Sequence, residues 1–176
     1  MSRALEFAST VRHNGHGGLT DDLATVAGLA AWAHVDAVSE ELRLRVVELR
    51  WAVRSLLARA TNAGERLDTP HLMPLDDALH LVNDTSARVP RAARLEWEEP
   101  LRLRYVDRAT EGERLLAELA TAAIEFLAGG ERADLRACPA PRCVRYFVKA
   151  HPQQQWCKPS CGNRARVSRH YHKARD

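Results

Sequence analysis

The four cysteines of the chain lie near its C-terminal end in two close pairs. Cys138 and Cys143 bound the sequence CPAPRC, and Cys157 and Cys161 bound CKPSC. Two thiol pairs separated by a short arm match the ligand pattern of a tetrahedral zinc site. Four thiolates in a reducing compartment favour structural Zn²⁺, with an iron–sulfur site or a redox or free-thiol role as the alternatives. We therefore expect one zinc ion per chain, bound by all four cysteines.

A closed shell of four cysteines leaves no coordination position for substrate, so the zinc is expected to fold its segment and not to catalyse. Without metal, residues 138–176 should be largely unstructured, because so short a segment buries little apolar surface. The eight histidines show no HExxH spacing, and the chain contains no glycine-rich phosphate loop or nucleophile elbow. We expect no enzymatic activity.

Charge is divided unevenly along the chain. Residues 1–137 contain 17 Arg and 22 acidic residues, a net charge of −5, whereas residues 138–176 contain nine Lys and Arg and one Asp, a net charge of +8. A strongly basic segment on an acidic protein predicts contact with a polyanion through that segment. The alternative is a tail that only improves solubility.

The second cysteine pair leads directly into a predicted basic helix that begins near Pro159. Most of its cations are expected to contact phosphate groups, while Asn163 and Arg164 have side chains that can read adenine and guanine edges. The alternative role for Asn163 is structural, as a cap or a bond to the backbone of the cysteine turn. The candidate nucleic-acid-binding residues are Arg145, Lys149, Lys158, Asn163, Arg164, Arg166, Arg169, Lys173 and Arg175.

The order of elements in the cysteine module predicts a treble-clef-like finger, with a cysteine turn, a hairpin, and a second cysteine turn at a helix N-terminus. Val167, Tyr171 and Ala174 are expected to form a narrow apolar side of that helix. Gly162 is expected to let the backbone approach the neighbouring sulfur closely. The aromatic side chains are expected to form a small core, with exposure of one for base stacking as the alternative: Tyr146, Phe147, Trp156 and Tyr171.

Residues 1–130 are predicted to form a mostly helical domain, followed by a linker over residues 131–137. Apolar residues at helical spacing and capping residues indicate helices from Thr20–Asp21 to about His34, 39–62, 74–86 and 110–127. The segment 5–11 reads as a strand or the start of a helix. Period-two alternation over 94–107 predicts a hairpin with one solvated face. The fold class is therefore mainly α with a small β-hairpin (α+β).

Neither a signal peptide nor a membrane-spanning segment is predicted. The N-terminal sequence MSRALEFAST lacks a continuous apolar stretch, and no apolar run in the chain is long enough to span a bilayer. We therefore expect a cytoplasmic protein without a membrane partner.

The cysteine module resembles the bacterial CGNR zinc finger in the motif Cys161-Gly162-Asn163-Arg164, in Trp156-Cys157 and in CPAPRC upstream. The N-terminal part resembles the ABATE domain of stress-induced transcription regulators. That resemblance is carried by Leu5-Glu6-Phe7 with Thr10, by the tract around Leu49-Arg50, and by Val82-Asn83. The sequence differs from the family pattern at Ser9, which replaces an Asn, and at the arm HPQQQ, which replaces a more basic arm.

The resemblance implies a zinc-containing regulator that binds DNA. Our hypothesis is a helical N-terminal domain, 1–130, that senses a ligand or forms a homodimer, followed by a zinc finger, 138–176, that binds DNA. Because one small finger has limited specificity, a dimer reading two half-sites would be physically sensible. The alternative hypothesis is a zinc-stabilised module that binds RNA or an acidic protein partner.

Overall fold

A computed structural model describes residues 2–173 of the chain. In its N-terminal domain the longest helix, Glu40–Ala60, lies at the centre. The helices of this domain are α1 (Arg3–Ala8), α2 (Val26–Ala33), α3 (Glu40–Ala60), α4 (Leu75–Ala87) and α5 (Glu111–Ala128), with a 3-10 turn at Thr69–His71. Helices α3, α4 and α5 pack against one another, and α1 packs on α3 and α5. This arrangement confirms the mainly α fold class with small antiparallel hairpins.

Capping residues and apolar stripes explain where the long helices begin and what they bury. Ser39 caps α3 by accepting a hydrogen bond from the Leu42 amide, and Thr110 forms a capping box with Glu113 at the start of α5. The apolar faces meet in one core, which includes Leu5, Phe7, Val46, Leu49, Val53, Leu57, Val82, Leu115, Leu119 and Phe126. Both helices were predicted within two residues of their observed bounds.

The chain after α1 forms a hairpin that the sequence did not indicate. Strands β1 (Val11–His13) and β2 (Leu19–Asp21) pair antiparallel, joined by a glycine-rich turn. In that turn the Asn14 side chain accepts hydrogen bonds from the amides of His16 and Gly18. The prediction that Thr20 and Asp21 start the next helix is therefore wrong, because both lie in β2 and Thr25 caps α2 instead. The predicted end of that helix near His34 is confirmed, with His34 in the left-handed conformation.

A second hairpin, β3 (Ala92–Glu96) and β4 (Arg102–Val106), confirms the hairpin predicted in this region, and Leu95 lies opposite Leu103. Its environment differs from the prediction. Leu95 is 60% exposed and Leu103 is 63% exposed, so the apolar face is solvated like the charged face. Alternation along the strands was read correctly, but the sequence did not show that this hairpin extends beyond the helical core.

The third hairpin belongs to the cysteine module and begins inside the predicted linker. Residues Gly130–Asp134 form a 3-10 turn, and β5 (Leu135–Ala137) pairs antiparallel with β6 (Tyr146–Val148). Residues 131–137 are therefore structured, and the first cysteine turn connects the two strands instead of preceding a hairpin. Helix α6 (Pro159–Lys173) begins between Cys157 and Cys161 and contains Cys161 in its first turn. Leu135 and Tyr146 bury their side chains in the main core, so the module is docked on the N-terminal domain.

Within the described part of the chain, no helix combines the length and the apolar character that crossing a membrane requires.

Candidate metal centre and nucleic-acid interface

All four predicted metal ligands meet at one point of the structure. Their sulfur atoms lie within 4.8 Å of one another. The Sγ of Cys157 is 3.8 Å from that of Cys143 and 3.6 Å from that of Cys161. A tetrahedral zinc with bonds of about 2.3 Å separates its sulfur ligands by about 3.8 Å. The donor set and its dimensions therefore fit zinc.

The backbone around each pair explains how the sulfurs converge. The amide of Cys138 donates to the carbonyl oxygen of Arg145 at 2.9 Å, which closes the first turn at the end of the β5–β6 hairpin. Arg142, just before the second ligand, adopts the left-handed conformation with φ of 62°. The amide of Cys157 approaches the Sγ of Cys138 at 3.5 Å. Cys161 lies in the first turn of α6, where helix amides favour negative charge.

Three of the thiols influence one another's ionisation in a way that a bound cation would relieve. Hydrogen bonds from Cys138 and Cys157 lower the pKa of Cys143. The bond with Cys138 raises the pKa of Cys157, and burial followed by the nearby Cys143 charge raises that of Cys161. One thiolate thus opposes ionisation of its neighbours in the same buried space. A divalent cation removes this conflict by allowing every sulfur to be a thiolate.

Aromatic packing supports the metal site from one side. Phe147 is buried with three of the cysteines, and Trp156 packs on the same cluster. A Cβ atom on Gly162 would lie 3.2 Å from Cε3 of Trp156. Gly162 therefore makes room for an indole ring, and the expectation that it lets the backbone approach the sulfur is not what the contacts show. Of the four aromatic residues predicted to form a small core, Phe147 and Trp156 lie at the cysteine cluster, whereas Tyr146 is buried in the main core and Tyr171 is exposed.

The predicted apolar side of α6 is wrong for the residues that the structure describes. Val167 is 57% exposed and Tyr171 is 69% exposed, so neither packs on the module. Ala174 lies outside the described residues. From Arg166 to Tyr171 the residues of the helix are exposed, except Ser168, which is partly buried.

The candidate nucleic-acid-binding residues fall into groups with different surroundings. Lys158, Arg166 and Arg169 are exposed, and Arg145 and Arg164 are partly exposed. Lys149 is partly exposed, and its Nζ donates to the carbonyl oxygen of Pro152. Two remaining residues are at the end of the chain: Lys173 is the last residue of α6, and Arg175 lies outside the described residues.

Asn163 and Arg164, the two predicted base readers, have different local partners. The Asn163 side chain is exposed and its Oδ1 accepts a hydrogen bond from Arg166, one turn further along α6. Within residues 2–173 it forms no hydrogen bond with the cysteine-turn backbone or with a cap position. Nη2 of Arg164 lies 3.4 Å from the Sγ of Cys161 and donates to it. Arg164 thus supports a metal ligand directly, as outer hydrogen bonds commonly do in zinc sites.

A buried arginine that the sequence analysis did not select joins the module to the helical domain. Arg54 on α3 has no exposed side-chain surface and forms an ion pair with the equally buried Asp68. Its guanidinium also donates to the carbonyl oxygens of Ala8 and Val144, and Tyr146 donates its hydroxyl to the Arg54 carbonyl at 3.4 Å. The signal was present in the sequence, because Arg54 follows Val46 at two steps of four residues and therefore lies on the apolar stripe.

A second buried arginine, Arg50, fixes the β1–β2 hairpin in the same way. Its Nη2 donates to Oδ2 of Asp21 at 2.7 Å, and its Nη1 donates to Thr10 at 3.1 Å. Burial alone would raise the pKa of Asp21, but the hydrogen bonds and charge of Arg50 lower it on balance. The hairpin is thereby placed beside the metal centre, where Arg12 and His13 come close to Arg164.

Two family models match the chain in succession. The ABATE model, described as a putative stress-induced transcription regulator, matches residues 2–130, and the CGNR zinc finger model matches residues 135–174. A comparison with curated proteins gives no match. Together with the four converging sulfurs, the second match confirms one structural zinc bound in the finger. The chain therefore belongs to the ABATE family and carries a CGNR zinc finger after the ABATE domain.

Proposed function

We propose that this protein is a transcription regulator that binds duplex DNA through its zinc finger, with α6 lying along phosphate groups. The observation that carries the proposal is the charge division. The finger segment has a net charge of +8 and the preceding residues have −5, so phosphate is attracted to one region and repelled by the rest. Lys158, Arg166 and Arg169 have exposed side chains that can reach phosphate groups. We propose no catalytic activity for this protein.

Because the finger is docked on the helical domain, its proposed DNA-binding surface is already positioned before DNA binds. Arg54 connects α3 to the carbonyl oxygen of Val144, and Leu135 and Tyr146 anchor both strands of the finger in the core. DNA binding to a finger already held in place costs less conformational entropy than binding to a finger on a flexible tether. The zinc holds the first turn of α6 in this frame and takes no part in contacts with DNA.

A homodimer would supply a second finger for a second DNA half-site. The β3–β4 hairpin is our candidate for the dimer interface. The apolar face of the hairpin is exposed, including Leu95, Leu103 and Tyr105. In the described chain each strand pairs only with the other, so both edges are available to a symmetry-related copy. A twofold arrangement brings the same patch from each copy together and buries it.

RNA binding is the second candidate function, and one residue favours it. Tyr171 on the basic helix is 69% exposed, and an exposed aromatic ring among cations can stack on an unpaired base. An acidic protein partner is supported only by the charge of the finger. Competition between labelled duplex DNA and single-stranded RNA of equal length separates these possibilities.

The test is a titration of zinc-loaded protein into labelled duplex DNA over a salt series from about 50 to 300 mM. A phosphate-led complex gives a steep fall of affinity with salt, and Arg169→Gln should lower the slope of log K against log salt by about one. Arg59→Gln, an exposed arginine on α3, is the matched control and should leave the slope unchanged. Millimolar affinity at low salt would exclude the DNA proposal.

A further inference from the structure

A pocket of about 250 Å³ lies where the β1–β2 hairpin meets the zinc finger. Arg12, His13 and Asn14 line it from the ABATE domain. Arg145, Lys158 and Arg164 line it from the finger. Within the described chain none of the lining residues carries a carboxylate. The pocket therefore concentrates positive charge from two parts of the chain that are far apart in sequence.

Part of this positive charge is offset by the zinc site, because four thiolates outweigh the charge of Zn²⁺ and two of them, Cys143 and Cys161, line the pocket. Arg12 forms an ion pair with Asp22, which does not line the pocket. Across residues 2–173, by contrast, no carboxylate lies within ion-pair distance of Arg145, Lys158 or Arg164. Cations that share a partly enclosed space repel one another, so an anion between them lowers the energy of the arrangement.

The pocket also holds an excess of hydrogen-bond donors. Nε of Arg12, Nε2 of His13 and Nε of Arg164 are buried and have no partner within the described chain. Nδ1 of His13 accepts a hydrogen bond from the Gly15 amide at 3.1 Å, so the neutral ring carries its proton on Nε2 and donates from there. Buried donors without partners are rare in native proteins and point to a missing ion or water.

Burial, more than the neighbouring charges, determines the state of His13. Burial lowers its pKa most, and the nearby charges of Arg164 and Arg142 lower it further. A neutral His13 beside several cations still offers one N–H donor and adds no repulsion. The combination of guanidinium groups, one ammonium and an imidazole N–H resembles the donor sets with which proteins surround tetrahedral oxyanions.

We propose that this pocket binds one phosphate group, held jointly by the ABATE domain and the zinc finger. The volume is below the range of drug-sized ligand sites, which begins near 300 Å³, and suits a phosphate group with little attached to it. The phosphate comes either from the nucleic-acid backbone or from a small free phosphate compound. The first source rests on the proposed DNA binding, and the second does not.

The two sources have opposite consequences for regulation. A backbone phosphate in the pocket would make the β1–β2 hairpin part of the DNA contact and extend the interface beyond the finger. A free phosphate compound would occupy Arg145, Lys158 and Arg164, which are also cations of the proposed DNA face. It would then compete with DNA, and the ABATE domain would contribute to the competition through Arg12 and His13.

Calorimetric titration of the zinc-loaded full chain with inorganic phosphate and pyrophosphate, in a phosphate-free buffer, tests the free-phosphate arm. We expect one site per chain, weakened about tenfold by either Arg12→Gln or Lys158→Gln, the effect of losing one charge-assisted hydrogen bond. Arg59→Gln is the matched control and should bind like the wild type. Measurement of zinc content in each variant excludes loss of the finger as the cause.

Titration of the same proteins into duplex DNA tests the nucleic-acid arm. If neither phosphate compound binds but Arg12→Gln and Lys158→Gln both weaken DNA binding, the pocket takes a backbone phosphate. If phosphate binds and DNA does not, the phosphate-pocket proposal is supported and the proposed DNA binding is excluded. The proposal is overturned if Arg12→Gln changes neither phosphate nor DNA binding while Arg12→Gln protein keeps its fold and its zinc.

Discussion

Nη2 of Arg54 donates a hydrogen bond to the carbonyl oxygen of Val144 at 2.7 Å, across 90 residues of chain. Val144 directly follows the zinc ligand Cys143, so a buried arginine in the longest helix reaches the backbone of the metal site. The same guanidinium pairs with Asp68, whose side chain is equally buried. The zinc finger and the ABATE domain are therefore one packed unit at this point, in spite of their opposite net charges.

Removal of the Arg54 guanidinium should destabilise the whole protein. Arg54→Met leaves the Asp68 carboxylate buried without its main partner, and loss of one member of a buried pair costs about 3–5 kcal/mol. Urea unfolding of the zinc-loaded proteins measures the loss. Arg59→Met, an exposed arginine on the same helix, should change the free energy of unfolding by less than about 0.5 kcal/mol. A loss below about 1 kcal/mol for Arg54→Met would contradict this role.

The pair of Arg50 and Asp21 predicts a specific dependence of stability on acid. Because the folded state lowers the pKa of Asp21 from its ordinary value of 3.8, the stabilisation is complete above that value and is lost as pH falls through the folded pKa. The difference in unfolding free energy between wild type and Asp21→Asn should therefore be constant near neutral pH and shrink below pH 3.8. Both proteins keep all four cysteines, so the effect of acid on zinc binding cancels. A difference that grows on acidification would refute the assignment.

The contact of Gly162 with Trp156 predicts a coupled pair of substitutions. Gly162→Ala introduces a Cβ 3.2 Å from the indole and should destabilise the zinc-loaded protein, although alanine favours helix by about 1 kcal/mol. In a Trp156→Ala background the obstacle is absent, and the same change should stabilise by up to about 1 kcal/mol. Thermal unfolding of the four proteins completes the cycle. Equal effects of Gly162→Ala in the two backgrounds would show that the indole is not the constraint.

The exposed hairpin predicts self-association of the chain. The wild type should sediment as a dimer at micromolar concentration, and Leu103→Glu should shift it to a monomer because a carboxylate cannot be buried in an apolar interface without a partner. Arg104→Gln, whose residue lies on the opposite face of β4, should remain dimeric. A wild type that stays monomeric, or a Leu103→Glu variant that stays dimeric, would exclude this interface.

The metal ligands and the long helices were predictable because their signals are local. Thiol spacing selects zinc, and the stripe from Val46 to Leu57 with Ser39 before it defines α3 without reference to the rest of the fold. The β1–β2 hairpin was missed because Thr20 and Asp21 suit a helix cap as well as a strand. In the structure Asp21 pairs with Arg50, which is 29 residues away. A local sequence pattern does not reveal such a distant partner.

The docking of the finger on the helical domain was not predicted for the same reason, because it depends on contacts between residues that are far apart in sequence. Composition separates the basic segment from the acidic one and so suggested a linker at 131–137. In the structure Leu135 is buried in the core of the helical domain, and the strand that it begins is part of the finger. The positive pocket could not be found from sequence either, because Arg12 and Arg164 come together only when the two parts dock.

Zinc-dependent DNA binding by the full chain is the most direct test of the account. Labelled duplex DNA is titrated at low salt with zinc-loaded protein, with protein stripped by a chelator, and with stripped protein supplied with zinc again. We predict that binding is lost on stripping and returns at one zinc per chain, with Cys157→Ser remaining inactive at every zinc concentration. Equal affinity of the stripped and zinc-loaded proteins for DNA would contradict the claim that zinc positions the basic helix for phosphate contact.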